Sequence, residues 1–77
     1  MTEKLILGID PGLKNTGWGV INSFKNKESY LSHGVITTSS KDNLGQRLFS
    51  IFRGISNLTE EYKPSFISVE KIFSNIN

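Results

Sequence analysis

An apolar run, Leu5-Ile6-Leu7-Gly8-Ile9, carries a single carboxylate, Asp10, straight into the turn pair Pro11-Gly12, and a second strand-like run begins at Thr16. A segment apolar at successive positions reads as a central strand covered on two sides rather than a half-exposed edge. Leu5, Leu7 and Ile9 then share one face, and Ile6, Gly8 and Asp10 the other. Removing a lone charge from water costs several kcal/mol even after relaxation. An acid at the end of such a strand therefore calls for a metal ion, a cationic partner or protonation. A local alternative is a turn acid whose carboxylate caps backbone amides of the Pro11-Gly12 turn.

The run Thr16 to Phe24 places Trp18 and Val20 on one face and Gly17, Gly19 and Ile21 on the other. Glycines at alternate strand positions mark close approach by a ligand or another backbone. Trp18 is expected against the face of a helix. Phe24-Lys25-Asn26-Lys27 is the next turn signal, and Glu28 to Thr38 reads as a third strand with Leu31 and Val35 on one face and Tyr30 and Ile36 on the other. His33 has no second His, no Cys and no acid at ligand spacing, so it reads as a partly exposed strand histidine.

After the loop Thr38 to Asp42, the residues Leu44, Leu48, Ile51, Ile55, Leu58 and Tyr62 recur at helical spacing. They predict an amphipathic helix from about Asp42 to Tyr62, with Phe49 and Phe52 widening its apolar stripe. Gly45 and Gly54 weaken it by ~1 kcal/mol each relative to alanine, and Lys63-Pro64 ends it. Ser65 to Ile72 is a fourth strand with Ile67 and Val69 on one face and Phe66, Ser68 and Glu70 on the other. A strand, helix, strand order of this length implies a right-handed crossover to a parallel neighbour. If the fourth strand lies beside the first, Asp10 and Glu70 meet at the carboxyl ends of adjacent parallel strands, where open α/β sheets place their sites. Two close carboxylates repel unless they share a proton or a cation. Oxygen ligands alone suit Mg²⁺ or Mn²⁺ rather than zinc.

Composition narrows the remaining classes. The chain has 77 residues, enough for one thin core, and no cysteine, which removes disulfides, thiolate metal sites and thiol nucleophiles together. Its net charge of +2 permits a nucleic-acid partner without demanding one, since Lys and Arg are scattered. No apolar run approaches the ~18 to 20 residues of a membrane span. Met1-Thr2-Glu3-Lys4 leads into a strand without signal-peptide anatomy, so a cytoplasmic location is expected.

The stretch ILGIDPGLKNTGWGVI resembles the opening of the RuvC family of Holliday junction resolvases, in which a strand runs into I-D-P-G and, after a short variable stretch, T-G-x-G-V. The later features fall in family order: G-V-I in the third strand, R-L-x-x-I in the helix (Arg47, Leu48, Ile51), a K-P turn, and E-x-x-F-x-x-x-N at Glu70, Phe73 and Asn77. The likeness covers the whole chain but only about the first half of a family member. It implies an α/β, RNase H-like mixed sheet, N-terminal half only: a three-stranded antiparallel meander, a crossover helix and a fourth strand parallel to the first. Residues 1–77 would form the N-terminal part of a single nuclease domain.

The same resemblance implies Asp10 and Glu70 as catalytic residues and metal ligands, Phe73 as an aromatic contact to unstacked bases, and two Mg²⁺ or Mn²⁺ ions per complete site. It implies a branched DNA substrate, the Holliday junction, a homodimer for the full-length member, and association with a branch-migration helicase complex. Lys14, in the turn after Asp10, is a candidate phosphate contact; the plainer reading is a solvated turn lysine. Glu3, Glu28, Asp42, Glu60 and Glu61 stand at no strand end where they could supply further ligands, so the 77 residues alone are expected to be inactive. Three other readings stay open: a different RNase H-like nuclease or a pseudo-nuclease, an actin-like or sugar-kinase ATPase fragment, whose first hairpin would cradle nucleotide phosphates, and a non-catalytic remnant that binds branched DNA.

Overall fold

The computed structural model describes residues 3–70. Strands β1 (Lys4–Asp10), β2 (Asn15–Phe24) and β3 (Lys27–Thr37) are followed by helix α1 (Leu44–Tyr62) and strand β4 (Phe66–Val69). They form a mixed sheet in the order β3-β2-β1-β4, with β1 antiparallel to β2 and parallel to β4. The expected architecture is therefore present: a meander, a crossover helix, and a return beside the first strand.

Each connection has a local cause. Lys25 and Asn26 have φ of 51° and 64°, the mirror-image turn geometry whose twist matches a two-residue hairpin. Asn43 caps α1: its side chain accepts from the Gln46 N–H at 2.9 Å, and the Gln46 side chain accepts from the Asn43 N–H at 3.4 Å. This reciprocal pair satisfies two amide donors that a helix start otherwise leaves open. The helix ends on Lys63 in the left-handed region, φ 47°, with its N–H on the Thr59 carbonyl, and Pro64 forbids continuation.

The core lies between α1 and one face of the sheet. Leu7 and Val20 are fully enclosed, Ile9 and Leu58 nearly so, and Leu5, Trp18, Ile36, Ile55 and Tyr62 pack around them. Enclosing a side chain such as Leu7 or Val20 contributes roughly 1.5–3 kcal/mol. Trp18 sits as expected beneath the helix, its ring 6.2 Å from that of Tyr62. The ring lies across Gly34 of the neighbouring strand, where an added Cβ would come within 2.6 Å of it. Gly34 thus makes room for Trp18 on the face that the helix covers.

Three expectations are corrected. Among the described residues β1 is covered on one face only, because a single helix packs on the sheet; the face carrying Gly8 and Asp10 stays open. Phe49 and Phe52 do not widen the packing stripe. Phe49 precedes Leu58 by about two and a half turns and so emerges on the opposite side of the helix; both phenylalanines are exposed, with their rings 6.5 Å apart. The third correction is in β3, where the register passes from Val20↔Ser32 to Ile21↔Tyr30 and leaves Leu31 as an extra residue. That bulge interrupts alternation and puts Tyr30 on the same face as His33, not with Ile36. The Tyr30 hydroxyl lies 2.8 Å from His33 Nδ1, and both residues are exposed.

Candidate metal centre

β1 and β4 advance together: Ile6 is level with Phe66, Leu7 with Ile67, Gly8 with Ser68 and Ile9 with Val69. The Ser65 N–H donates to the Leu5 carbonyl at 2.8 Å, and the Glu70 N–H to the Ile9 carbonyl at 2.9 Å. One step past the last pair, the register brings Asp10 level with Glu70. Neighbouring strands run ~4.8 Å apart, and level residues of a parallel pair project to the same side. Both acids are exposed and both line one cleft of about 280 Å³, together with Gly8, Ile9, Gly17, Trp18 and Ser68.

The cleft stays open because its floor lacks side chains. On this face Asp10 is opposite Gly17 and Gly8 is opposite Gly19. A Cβ built at Gly17 would meet nothing nearer than the Asp10 Cβ at 3.9 Å, and one at Gly8 nothing nearer than the Gly19 carbonyl at 3.8 Å. The alternating glycines leave space above the sheet rather than accommodating a neighbour beneath it. On the reverse face the same strands present Leu7, Ile9 and Val20 to the helix. The apolar side of β1 thereby fixes the backbone from which Asp10 projects, whereas Ile67 and Val69 on the corresponding side of β4 remain exposed, and β4 is held through its pairing with β1.

The loop leaving Asp10 is tied down by hydroxyls. Thr16, fully buried, donates to the Gly12 carbonyl at 2.8 Å and accepts from the Gly12 N–H at 3.3 Å. Thr38 donates from its hydroxyl to the Leu13 carbonyl and from its N–H to the Lys14 carbonyl at 3.0 Å. The Arg47 Nε–H in turn donates to the Thr38 hydroxyl at 3.0 Å. Among the described residues the Gly12 amide is met by Thr16 and not by the Asp10 carboxylate. Lys14 is exposed on this loop and is not among the residues lining the cleft.

The donor set fits a hard divalent cation. Asp10 and Glu70 offer carboxylate oxygens in one open cleft, with Ser68 beside them and no thiol or imidazole near. Among the described residues no third acid, His or Cys joins them, so these residues do not make a two-ion clamp. Phe73 lies outside the described residues. Sequence reasoning did not single out Ser68, Thr16, Thr38 or Arg47 for the site. Ser68 was legible from its period-two spacing to Glu70; the Thr38 contacts join segments about 25 residues apart, and no local pattern announces them.

Comparison with known families decides what these residues belong to. The family model described as "Crossover junction endodeoxyribonuclease RuvC" matches residues 6–77. The chain belongs to the RuvC family. A RuvC from Rubrobacter xylanophilus is 42% identical over 76 residues, covering 99% of this chain and 42% of that protein. A RuvC from Cupriavidus taiwanensis is 44% identical over 72 residues, covering 94% of the chain and 40% of that relative. The chain thus spans about two fifths of the length of the curated relatives it matches. The solved structure of T. thermophilus RuvC in complex with a Holliday junction substrate superposes with a TM-score of 0.83 at 25% identity, over 96% of this chain and 46% of that one. An Aquifex aeolicus PPX-GPPA enzyme reaches a TM-score of 0.70 at 13% identity, a likeness that shows the fold alone.

Proposed function

We propose that this chain is the N-terminal part of a Holliday junction resolvase, a structure-selective endonuclease of DNA recombination and repair. The observation that carries the reading is the pairing of Asp10 and Glu70 on one face of adjacent parallel strands, within a chain of the RuvC family. These two acids are the catalytic residues and hold a divalent ion, Mg²⁺ or Mn²⁺. Such ions, two in a complete site, activate the attacking water and neutralise charge on the leaving 3′ oxygen of a phosphodiester.

The chain's own residues bind and orient. Gly8, Gly17 and Gly19 leave a bare floor on which a sugar-phosphate backbone can approach the carboxylates without steric contact. Lys14, exposed on the loop beyond Asp10, contributes a phosphate contact, and Phe73 stacks on an unpaired base. Stacking of that kind is worth roughly 1–3 kcal/mol per base. The remaining metal ligands, the homodimer contact and the docking of a branch-migration helicase complex belong to the rest of a full-length member, and a cytoplasmic location goes with this role. No helix among the described residues is long and apolar enough to cross a membrane.

Among the alternatives, the ATPase reading is not favoured, since the family model and the curated relatives are resolvases. Mn²⁺ titration of the chain, read by paramagnetic broadening of amide resonances, tests the proposal. Binding on the order of millimolar, centred on Asp10 and Glu70 and lost in Asp10→Asn and Glu70→Gln, is the expected result. Binding unchanged by both substitutions, or amide protection that depends on ATP, refutes it. The 77 residues alone are expected not to cleave a Holliday junction, and cleavage that survives Asp10→Asn would place the chemistry elsewhere.

A further inference from the structure

We infer that Arg47 and Thr38 form a positioning pair that fixes the loop following Asp10 and, through it, the direction of the Asp10 carboxylate. The inference rests on the metal-binding reading above and assigns to it two residues with no contact to the cleft.

Thr38 is only 7% exposed. Its hydroxyl gives its one proton to the Leu13 carbonyl and accepts from the Arg47 Nε–H, while its backbone N–H donates to the Lys14 carbonyl. One residue, at the end of β3, thereby holds two successive carbonyls of the loop between β1 and β2. Thr16 holds the preceding residue, Gly12, from the other side. Between Asp10 and β2, the backbone of Gly12, Leu13 and Lys14 is thus tied at each residue, and Pro11 has a fixed φ. An Asp at the last position of a strand is aimed by the sheet on its N-terminal side and by this loop on its C-terminal side.

Arg47 supplies what Thr38 lacks alone. A threonine hydroxyl rotates freely; the guanidinium donor occupies its lone pair and leaves the proton directed at Leu13. Arg47 is itself held, in the first turns of α1, where its N–H donates to the Asn43 carbonyl at 3.1 Å. The cap of the helix, its arginine, the end of β3 and the loop after the catalytic-strand acid are therefore joined by successive hydrogen bonds. The planar Nε–H geometry makes this a task for arginine rather than lysine.

The sign of the effect separates positioning from charge. Removing a cation near a cation site tightens metal binding if Coulomb repulsion is all that matters; removing a positioning group weakens it. Mn²⁺ affinity is measured for the parent chain and for Arg47→Met, Thr38→Val, Thr38→Ser and Asp10→Asn. Ile55→Val serves as a core variant that lowers stability without touching the loop. Arg47→Met and Thr38→Val are expected to bind about tenfold more weakly, as loss of an outer partner of a metal ligand does. Thr38→Ser, which keeps the hydroxyl, and Ile55→Val are expected to bind like the parent. Parent-like or tighter binding by both Arg47→Met and Thr38→Val, with Asp10→Asn still abolishing it, overturns the positioning inference and leaves the metal site standing. Equal weakening by Ile55→Val also overturns it, since loss of stability then suffices. Unchanged binding by Asp10→Asn removes the metal site and this inference together.

Discussion

Replacing Gly34 with alanine tests whether the sheet is organised around Trp18. The added Cβ would stand 2.6, 2.8 and 2.9 Å from Cζ2, Cε2 and Nε1 of the indole, where carbon contacts settle at about 3.5–4.0 Å. The ring must retreat by roughly 1 Å, and it is also packed with Tyr62, 6.2 Å between centroids. Crowding of this kind costs about 1–3 kcal/mol, while glycine to alanine in a strand returns roughly 0.5–1 kcal/mol. The difference runs from about 0 to 2.5 kcal/mol with a central loss of about 1 kcal/mol, which lowers the midpoint of a domain this size by roughly 4–8 °C. Thermal unfolding by far-ultraviolet circular dichroism measures it. Trp18 is the single tryptophan of the chain, so its emission independently reports the displacement as a shift to longer wavelength. In a Trp18→Leu background the same Gly34→Ala change is expected to be neutral or stabilising. Unchanged stability and emission in the Trp18 background would refute the packing described.

Gly54→Ala is expected to destabilise by about 1 kcal/mol despite the helix preference for alanine, because its Cβ would meet three atoms of Ile36 at 2.6 to 3.2 Å. The loss should shrink in an Ile36→Val background, as a double-mutant cycle by urea unfolding will show. Asn43→Ala removes the helix cap and is expected to cost about 1 kcal/mol; hydrogen exchange of the Gln46 amide should rise with it, and unaltered exchange would deny the cap.

Local pattern carried much of this fold because strands and helices are periodic over a few residues. The apolar run ending in Asp10, the turn at Lys25-Asn26 and the stop at Lys63-Pro64 each state their structure within a short window, and the strand-helix-strand order limits the return of β4 to a parallel partner. The faces of β1, β2 and β4 follow from a period of two. Glu70 could be matched to Asp10 on that basis, and the family resemblance rested on the same residues.

What the tertiary structure decided depends on meetings across long stretches of chain. The extra residue at Leu31 is invisible in β3 alone, since a bulge exists only against the partner strand; it moved Tyr30 to the side of His33. Helical spacing already sets Phe49 opposite Leu58, but only the docking of Leu58's side on the sheet decided that Phe49 and Phe52 would be the ones left exposed. The hydroxyl of Thr38 finds the Leu13 carbonyl only once the meander has closed. A short stretch of sequence fixes which way successive side chains alternate, because that follows from backbone geometry. Which of those side chains meet is settled by register and by the placement of one element on another, and neither is written in any single segment.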